Sequence, residues 1–146
     1  MRLSRPRLGE WVVLLGCACV IVALTRRWYE TPEGNLSAWG TFGPAVVLLM
    51  LAALAGLALV VATVTERSTA LPVAAAIWST LFGLLGVIAA VVRLLERPHH
   101  ASALCAGAWL GFAGALLILA GSWQSMRDER TSRYPPASPK PRDLPA

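Results

Sequence analysis

The chain has 146 residues, of which 56% are apolar and only 14% are charged. Soluble domains carry about 25% charged residues, so this composition excludes an ordinary water-soluble fold and indicates a membrane protein of one domain. The net charge of +5 suits basic residues that face anionic lipid on the cytoplasmic side, and we expect no nucleic-acid partner.

Four uncharged stretches are long enough to cross a hydrocarbon core of about 30 Å as helices. The sequence predicts spans at about 9–27, 44–65, 71–95 and 101–126. The first is short, because only 15 residues separate Glu10 from Arg26, and it crosses if both side chains extend outward to the interfaces. A cleaved signal peptide is the alternative, but Arg26 and Arg27 lie where a small-residue cleavage site would be needed.

Basic residues set the expected orientation. With the N-terminus inside, the inner segments hold nine basic residues and the outer loops hold four, which favours both termini in the cytoplasm. The aromatic residues agree, since Trp11 and Trp123 fall near the inner boundary. A second aromatic group falls near the outer boundary: Trp28, Tyr29, Trp39 and Phe42.

Short connections make consecutive helices antiparallel neighbours, so we expect an all-α fold, a transmembrane up-down four-helix bundle with cytoplasmic termini. The one long connection runs from Arg26 to Gly43, and its Leu36-Ser37-Ala38-Trp39 stretch predicts an N-capped turn. Residues 1–128 form the predicted transmembrane domain. Residues 129–146 hold five prolines and predict a disordered cytoplasmic tail.

Small residues on the spans predict where the helices pack, because they let backbones approach each other in lipid. Span 4 carries Gly107, Gly111 and Gly114, and span 3 carries Gly83 and Gly86. We therefore expect spans 3 and 4 to form the tightest helix pair, either within one chain or in a homodimer.

Ionisable residues are nearly missing from the spans, which disfavours a proton-coupled exporter because such proteins use a buried carboxylate. Trp78 and Trp109 are predicted inside the bilayer, where core packing is the favoured interpretation and a lipophilic pocket is the alternative. Arg93 forms a cluster with Glu96 and Arg97 that is either an anion site or interfacial pairing. The candidates for contact with a ligand or lipid headgroup are Trp39, Trp78, Arg93 and Trp109.

No motif predicts a catalytic, cofactor-binding or metal-binding residue. His99 and His100 supply two ligands, which are too few for a tetrahedral metal site. Cys17 and Cys19 lie on different faces of one helix and form no Cys-x-x-Cys pair with Cys105. We therefore interpret the cysteines as buried apolar residues and expect neither a cofactor nor an enzyme.

Several short motifs occur along the chain in a characteristic order. They are Leu36-Ser37-Ala38-Trp39 with Phe42, Arg67 to Val73, Arg93-Leu94-Leu95, Gly121-Ser122-Trp123 and Ser125 to Glu129. In this order the set resembles an uncharacterised family of small four-span integral membrane proteins from actinobacteria, from span 1 to the end of span 4. The resemblance implies a four-helix inner-membrane protein and implies no activity. Members often carry an acid early in span 2, where this chain has Gly43-Pro44-Ala45-Val46.

The favoured function is a non-enzymatic interaction or accessory component of the cytoplasmic membrane, in contact with membrane lipids, other membrane proteins or copies of itself. The alternative is a small oligomeric transporter, exporter or lipid-binding protein, whose pathway Trp78, Trp109 and Arg93 would line. A membrane enzyme or redox protein is the third hypothesis, which no nucleophile–base set supports.

Overall fold

The computed structural model describes residues 8–32, 34–37, 39–40, 43–65, 70–96 and 103–132. Its four helices are α1 (Leu8–Thr25), α2 (Pro44–Val64), α3 (Ala70–Leu95) and α4 (Ala106–Ser132). Each helix is long and apolar enough to cross a membrane. The predicted bundle of four helices is therefore confirmed, and all four have the length and composition of membrane spans.

The helix ends differ from the predicted ones mainly in α4. It begins at Ala106 instead of residue 101, because Ala103 and Leu104 pair as a short strand. It continues to Ser132, past the predicted start of the tail at residue 129. The rest of the predicted tail, 133–146, lies outside the described residues.

A three-stranded antiparallel sheet, which the sequence did not predict, lies at one end of the bundle. Its strands are β1 (Arg27–Thr31), β2 (Gly34–Ser37) and β3 (Ala103–Leu104), in the order β2-β1-β3. β1 and β2 form a hairpin in which Thr31 pairs with Gly34, whose φ of +139° favours glycine. We call this end of the bundle the sheet end, and the end where α1 begins the terminal end.

The helices form a closed ring in chain order. Each helix packs against the next one, and α1 also packs along α4, where the contact is the most extensive in the molecule. Gly9 lies beside Gly121 and Gly16 lies beside Gly114, so α1 and α4 run antiparallel. Gly83 and Gly86 of α3 face Leu119 and Ala115 of α4 in turn, and Val13 and Cys17 of α1 face Gly56 and Ala53 of α2, so these pairs are also antiparallel, as the expected up-down arrangement requires.

Among the pairs of helices, the closest backbone approach at a glycine lies between α1 and α4. A methyl group on Gly16 would lie 2.8 Å from the carbonyl oxygen of Gly114, and one on Gly121 would lie 2.6 Å from that of Gly9. The prediction that spans 3 and 4 pack most tightly is wrong, because a methyl group on Gly83 would lie 3.1 Å from its nearest α4 atom. Contact in lipid is driven by van der Waals packing, so this close approach stabilises the bundle.

Ile118 of α4 fills the middle of the bundle and is fully buried. Methyl groups placed on three glycines would lie within 4 Å of its side chain: Gly16 of α1, Gly56 of α2 and Gly83 of α3. Gly86, the other glycine singled out on α3, faces Ala52 of α2 and, more distantly, Ala115 of α4. The glycines of three helices thus make room for one large side chain of the fourth.

Two buried serines link α3 to α4. The Ser79 and Ser122 hydroxyl oxygens are 2.6 Å apart, and the Ser122 hydroxyl donates to the carbonyl of Ile118 at 2.7 Å. Because the Ser122 proton goes to Ile118, Ser79 is the donor between the two serines. Such an interhelical hydrogen bond in a membrane contributes about 0.6 kcal/mol.

The burial of Glu10 differs from the predicted exposure of its side chain. Glu10 is only 6% exposed in the first turn of α1, whereas its side chain was expected to extend outward to the membrane interface. The neighbouring Gly9 is close to the backbone of Ser125 and the side chain of Gln124, so α4 covers this end of α1. A carboxylate in the first turn also suits the positive end of the helix dipole.

We predict that Gly16→Ala destabilises the protein, although glycine-to-alanine changes inside helices usually stabilise by about 0.5–1 kcal/mol. The added methyl group overlaps α4, so the free energy of unfolding should fall by about 1–3 kcal/mol. Thermal unfolding in dodecyl maltoside, followed by circular dichroism, measures the change. Leu15→Ala on the exposed side of α1 is the matched control and should shift Tm much less. A Tm for Gly16→Ala at or above that of the wild type would contradict the packing described.

Candidate functional site

Trp28 anchors the sheet to the bundle. It lies in β1, is only 2% exposed, and its indole nitrogen donates a 2.7 Å hydrogen bond to the carbonyl of Ala23. Ala23 lies in the last turn of α1, and its carbonyl also accepts a 3.2 Å hydrogen bond from the amide of Arg26. The indole is therefore a second donor at the end of α1, and its ring fills the space between the sheet and the bundle.

Two predicted packing glycines form the seat of this indole. A methyl group on Gly107 would lie 2.9 Å from Cδ1 of Trp28, and one on Gly111 would lie 2.9 Å from its Cζ2. The ring thus lies along the first two turns of α4. Gly107 also faces the Arg27 carbonyl oxygen, at 2.5 Å from an added methyl group, and Gly111 also faces Ala23 of α1, at 3.6 Å. Gly114 faces α1 directly.

Tyr29 ties the sheet to a third helix. It is fully buried, and its hydroxyl donates a 2.7 Å hydrogen bond to the backbone carbonyl of Arg93 near the end of α3. Burial raises the pKa of Tyr29, and the nearby charge of Arg93 opposes that rise. The phenol therefore stays protonated at neutral pH and keeps its hydrogen bond to α3.

Both Trp28 and Tyr29 are buried at the sheet end, which their predicted place near the outer boundary did not indicate. Adjacent residues of an exposed strand point to opposite faces, but here the register shifts between Arg27 and Tyr29, and both rings are covered. The spacing of Gly107 and Gly111 is the sequence signal for the indole seat. It looks the same as a helix-packing motif, so the sequence alone did not distinguish the two.

The predicted turn around Trp39 is present, but it follows a strand. The amide of Gly40 donates to the carbonyl of Ser37 at 3.1 Å and approaches the Ser37 hydroxyl at 3.4 Å. Trp39 itself is 43% exposed. Phe42, predicted to lie on the same side, is outside the described residues.

The four residues predicted to contact a ligand do not form one site. Trp78 and Trp109 are each 56% exposed on the outer surface of the bundle, so the prediction of core packing for them is wrong. Trp78 stacks on Phe82 of its own helix, with ring centroids 5.8 Å apart. Arg93 is fifteen residues further along α3, which corresponds to about 22 Å.

A cleft of about 520 Å³ with charged side chains in its lining opens at the sheet end. It lies where α1 ends and α4 begins, and it contains none of the four predicted contact residues. Its lining is Thr25, Arg26, Arg27, Glu30, Cys105, Ala106 and Gly107. In the sequence, the two arginines indicate only the orientation of the chain in the membrane. The pairing of β1 with β3 is what brings Cys105 beside them.

The three cysteines lie apart and are free. Cys17 is buried in α1 and its thiol donates to the carbonyl of Ala53 in α2 at 3.4 Å, Cys19 is half-buried, and Cys105 lines the cleft. Across the described ranges, no three His, Cys, Asp or Glu residues are grouped to hold a metal ion. His99 and His100 lie outside those ranges.

The fold defines a class: a four-helix membrane protein with a small sheet anchored at one end. Comparisons with protein-family models, with curated proteins and with solved structures find no match to this chain. Its function is therefore inferred from its own residues.

We predict that Trp28→Ala lowers the free energy of unfolding by about 3–5 kcal/mol, because it empties the seat on α4 and removes the indole hydrogen bond to the Ala23 carbonyl. Trp109→Ala, which removes the same side chain from an exposed position on α4, should change it by less than about 1 kcal/mol. Thermal unfolding of both variants in the same detergent gives the comparison. Equal losses in the two variants would show that Trp28 is not the anchor.

Proposed function

We propose that this protein is a non-enzymatic, multi-pass component of the cytoplasmic membrane that works by binding other membrane proteins or copies of itself. We also propose that it belongs to the actinobacterial four-span family that its motifs resemble. In this proposal both termini are cytoplasmic and the sheet end faces outward. Membrane lipids surround the bundle.

The observation that carries the proposal is the anchored sheet. Trp28 connects β1 to α1 and α4, and Tyr29 connects it to α3, so the sheet is fixed to the bundle at several points. In the strand order β2-β1-β3, β2 is an edge strand whose outer side has no strand beside it among the described residues. A fixed edge strand supplies unpaired backbone groups with which another chain can pair.

The buried interior supports the same function. The buried serines hydrogen-bond to each other and to α4, and glycines bring the helices into direct contact. These polar groups therefore serve helix packing. The cleft, with its charged side chains, opens at the sheet end, where a partner or lipid can contact it.

The alternative function is a small oligomeric transporter, exporter or lipid-binding protein. The cleft supports the lipid-binding part of it. The transporter part has less support, since Trp78 and Trp109 lie on the outer surface and line no path through a single chain.

The orientation is tested by cysteine labelling in intact cells. Pro32→Cys, at the exposed tip of the β1–β2 hairpin, should react with a membrane-impermeant maleimide, and Ala146→Cys should react only after the membrane is permeabilised. Peptide mass spectrometry separates these sites from the native cysteines. Labelling of both positions from the same side would contradict the four-span arrangement.

The interaction is tested with a photo-crosslinking amino acid, p-benzoyl-phenylalanine, in place of Trp39 beside β2. Irradiated native membranes should give a protein adduct, at twice 15.5 kDa for a second copy or at another mass for a different partner. The same group in place of Trp11, which is 58% exposed at the terminal end, is the control and should give less adduct. Lipid adducts alone, or equal protein adducts at both positions, would contradict the proposal.

A further inference from the structure

The cleft at the sheet end combines a cavity, two arginines and the start of a long helix. Arg26 and Arg27 both line it and both have exposed side chains. Ala106 and Gly107, the first residues of α4, form another part of the lining. Glu30, on the same strand as Arg27, adds one acidic group.

We infer that this cleft binds a phosphate ester, the group shared by phospholipid headgroups and small free phosphates. Arginine is suited to this group, because its planar guanidinium donates two parallel hydrogen bonds to phosphate oxygens. The first amides of a helix have no partner within the helix and carry the positive end of its dipole, so they also favour an anion. The inference is independent of the protein partner proposed above.

The position of the cleft suits a ligand at the membrane boundary. Thr25 ends α1 and Ala106 begins α4, and both helices cross the hydrocarbon region. A phosphate in the cleft therefore lies at the level of the lipid headgroups, while an acyl chain can continue along the outer surface of the bundle. Glu30 suits a ligand that carries a hydroxyl or amine beside its phosphate, since a carboxylate accepts hydrogen bonds from either.

The volume of the cleft is also consistent with such a ligand. At about 520 Å³ it lies within the range of about 300–1,000 Å³ that is usual for small-molecule sites, and a phosphodiester headgroup fits within it. The cleft is open to water, so charge rather than apolar burial must supply the affinity. Binding should therefore weaken as salt is added.

Cys105 provides a reporter, because its thiol is part of the cleft lining. The full-length protein in dodecyl maltoside, which carries no phosphate and no charge, is alkylated with N-ethylmaleimide. Peptide mass spectrometry follows Cys105 separately from Cys17 and Cys19. One arm adds phosphatidylglycerol to the micelles, another adds inorganic phosphate, and a third adds chloride at the same ionic strength.

We expect bound phosphate to slow alkylation of Cys105 by about fivefold or more at saturating ligand, with no effect of chloride. Protection by phosphatidylglycerol alone identifies a lipid headgroup as the ligand. Protection by inorganic phosphate identifies a free phosphate as sufficient. If neither slows the reaction beyond the chloride arm, the inference is wrong.

Two sets of variants make the test specific to the cleft. The double variant Arg26→Gln/Arg27→Gln should lose the protection, and its circular dichroism should be unchanged because both side chains are exposed. Arg93→Gln removes a charge from α3, outside the cleft, and should keep the protection, since Tyr29 binds the Arg93 backbone. Native mass spectrometry should also show fewer retained phosphatidylglycerol molecules on the double variant, if the lipid is the ligand. Equal protection in the double variant and the wild type would overturn the inference.

Discussion

The contact between the first and last helices holds the rest of the structure in place. In hydrocarbon, apolar side chains gain nothing by leaving lipid for protein, so helices associate where their atoms can come closest. Glycines allow that approach at the terminal end of the α1–α4 interface, near Gly9 and Gly121, and at the middle of α1, near Gly16 and Gly114. This contact closes the ring of four helices and leaves the centre for Ile118. It also sets the spacing at the sheet end, where Trp28 must fit between α1 and α4.

The anchored sheet joins the connection between α1 and α2 to the connection between α3 and α4. β1 comes from the connection after α1 and β3 from the connection before α4, and their pairing joins segments that are far apart in sequence. Trp28 and Tyr29 then fasten β1 to α1 and α3 through backbone carbonyls, and the Trp28 ring packs on α4. The same pairing creates the cleft, because it places Cys105 and the start of α4 beside Arg26 and Arg27. The cleft is thus a product of the strand pairing.

The four spans could be predicted because hydrocarbon imposes a length on uncharged stretches, and the observed helices follow those stretches closely. Helix faces could not be predicted as well. A span that is apolar on all sides does not reveal which side meets lipid, so Trp78 and Trp109 were expected inside and lie outside. The sheet was missed because its strands are short and one of them, β3, has only two residues. Strand β3 forms by pairing with β1, which is far from it in sequence, and local sequence patterns do not encode such pairing.

The closing contact has a consequence for how the protein is made. α1 is synthesised first and α4 last, so the glycine face of α1 has no partner until the ribosome has finished the final span. During that interval Gly16 faces lipid or the insertion machinery, and the indole of Trp28 has no Gly111 beside it. Native architecture is therefore reached only after the whole membrane domain has been translated. A chain that stops before α4 keeps three hydrophobic spans and their contacts with one another but lacks the helix that closes the ring.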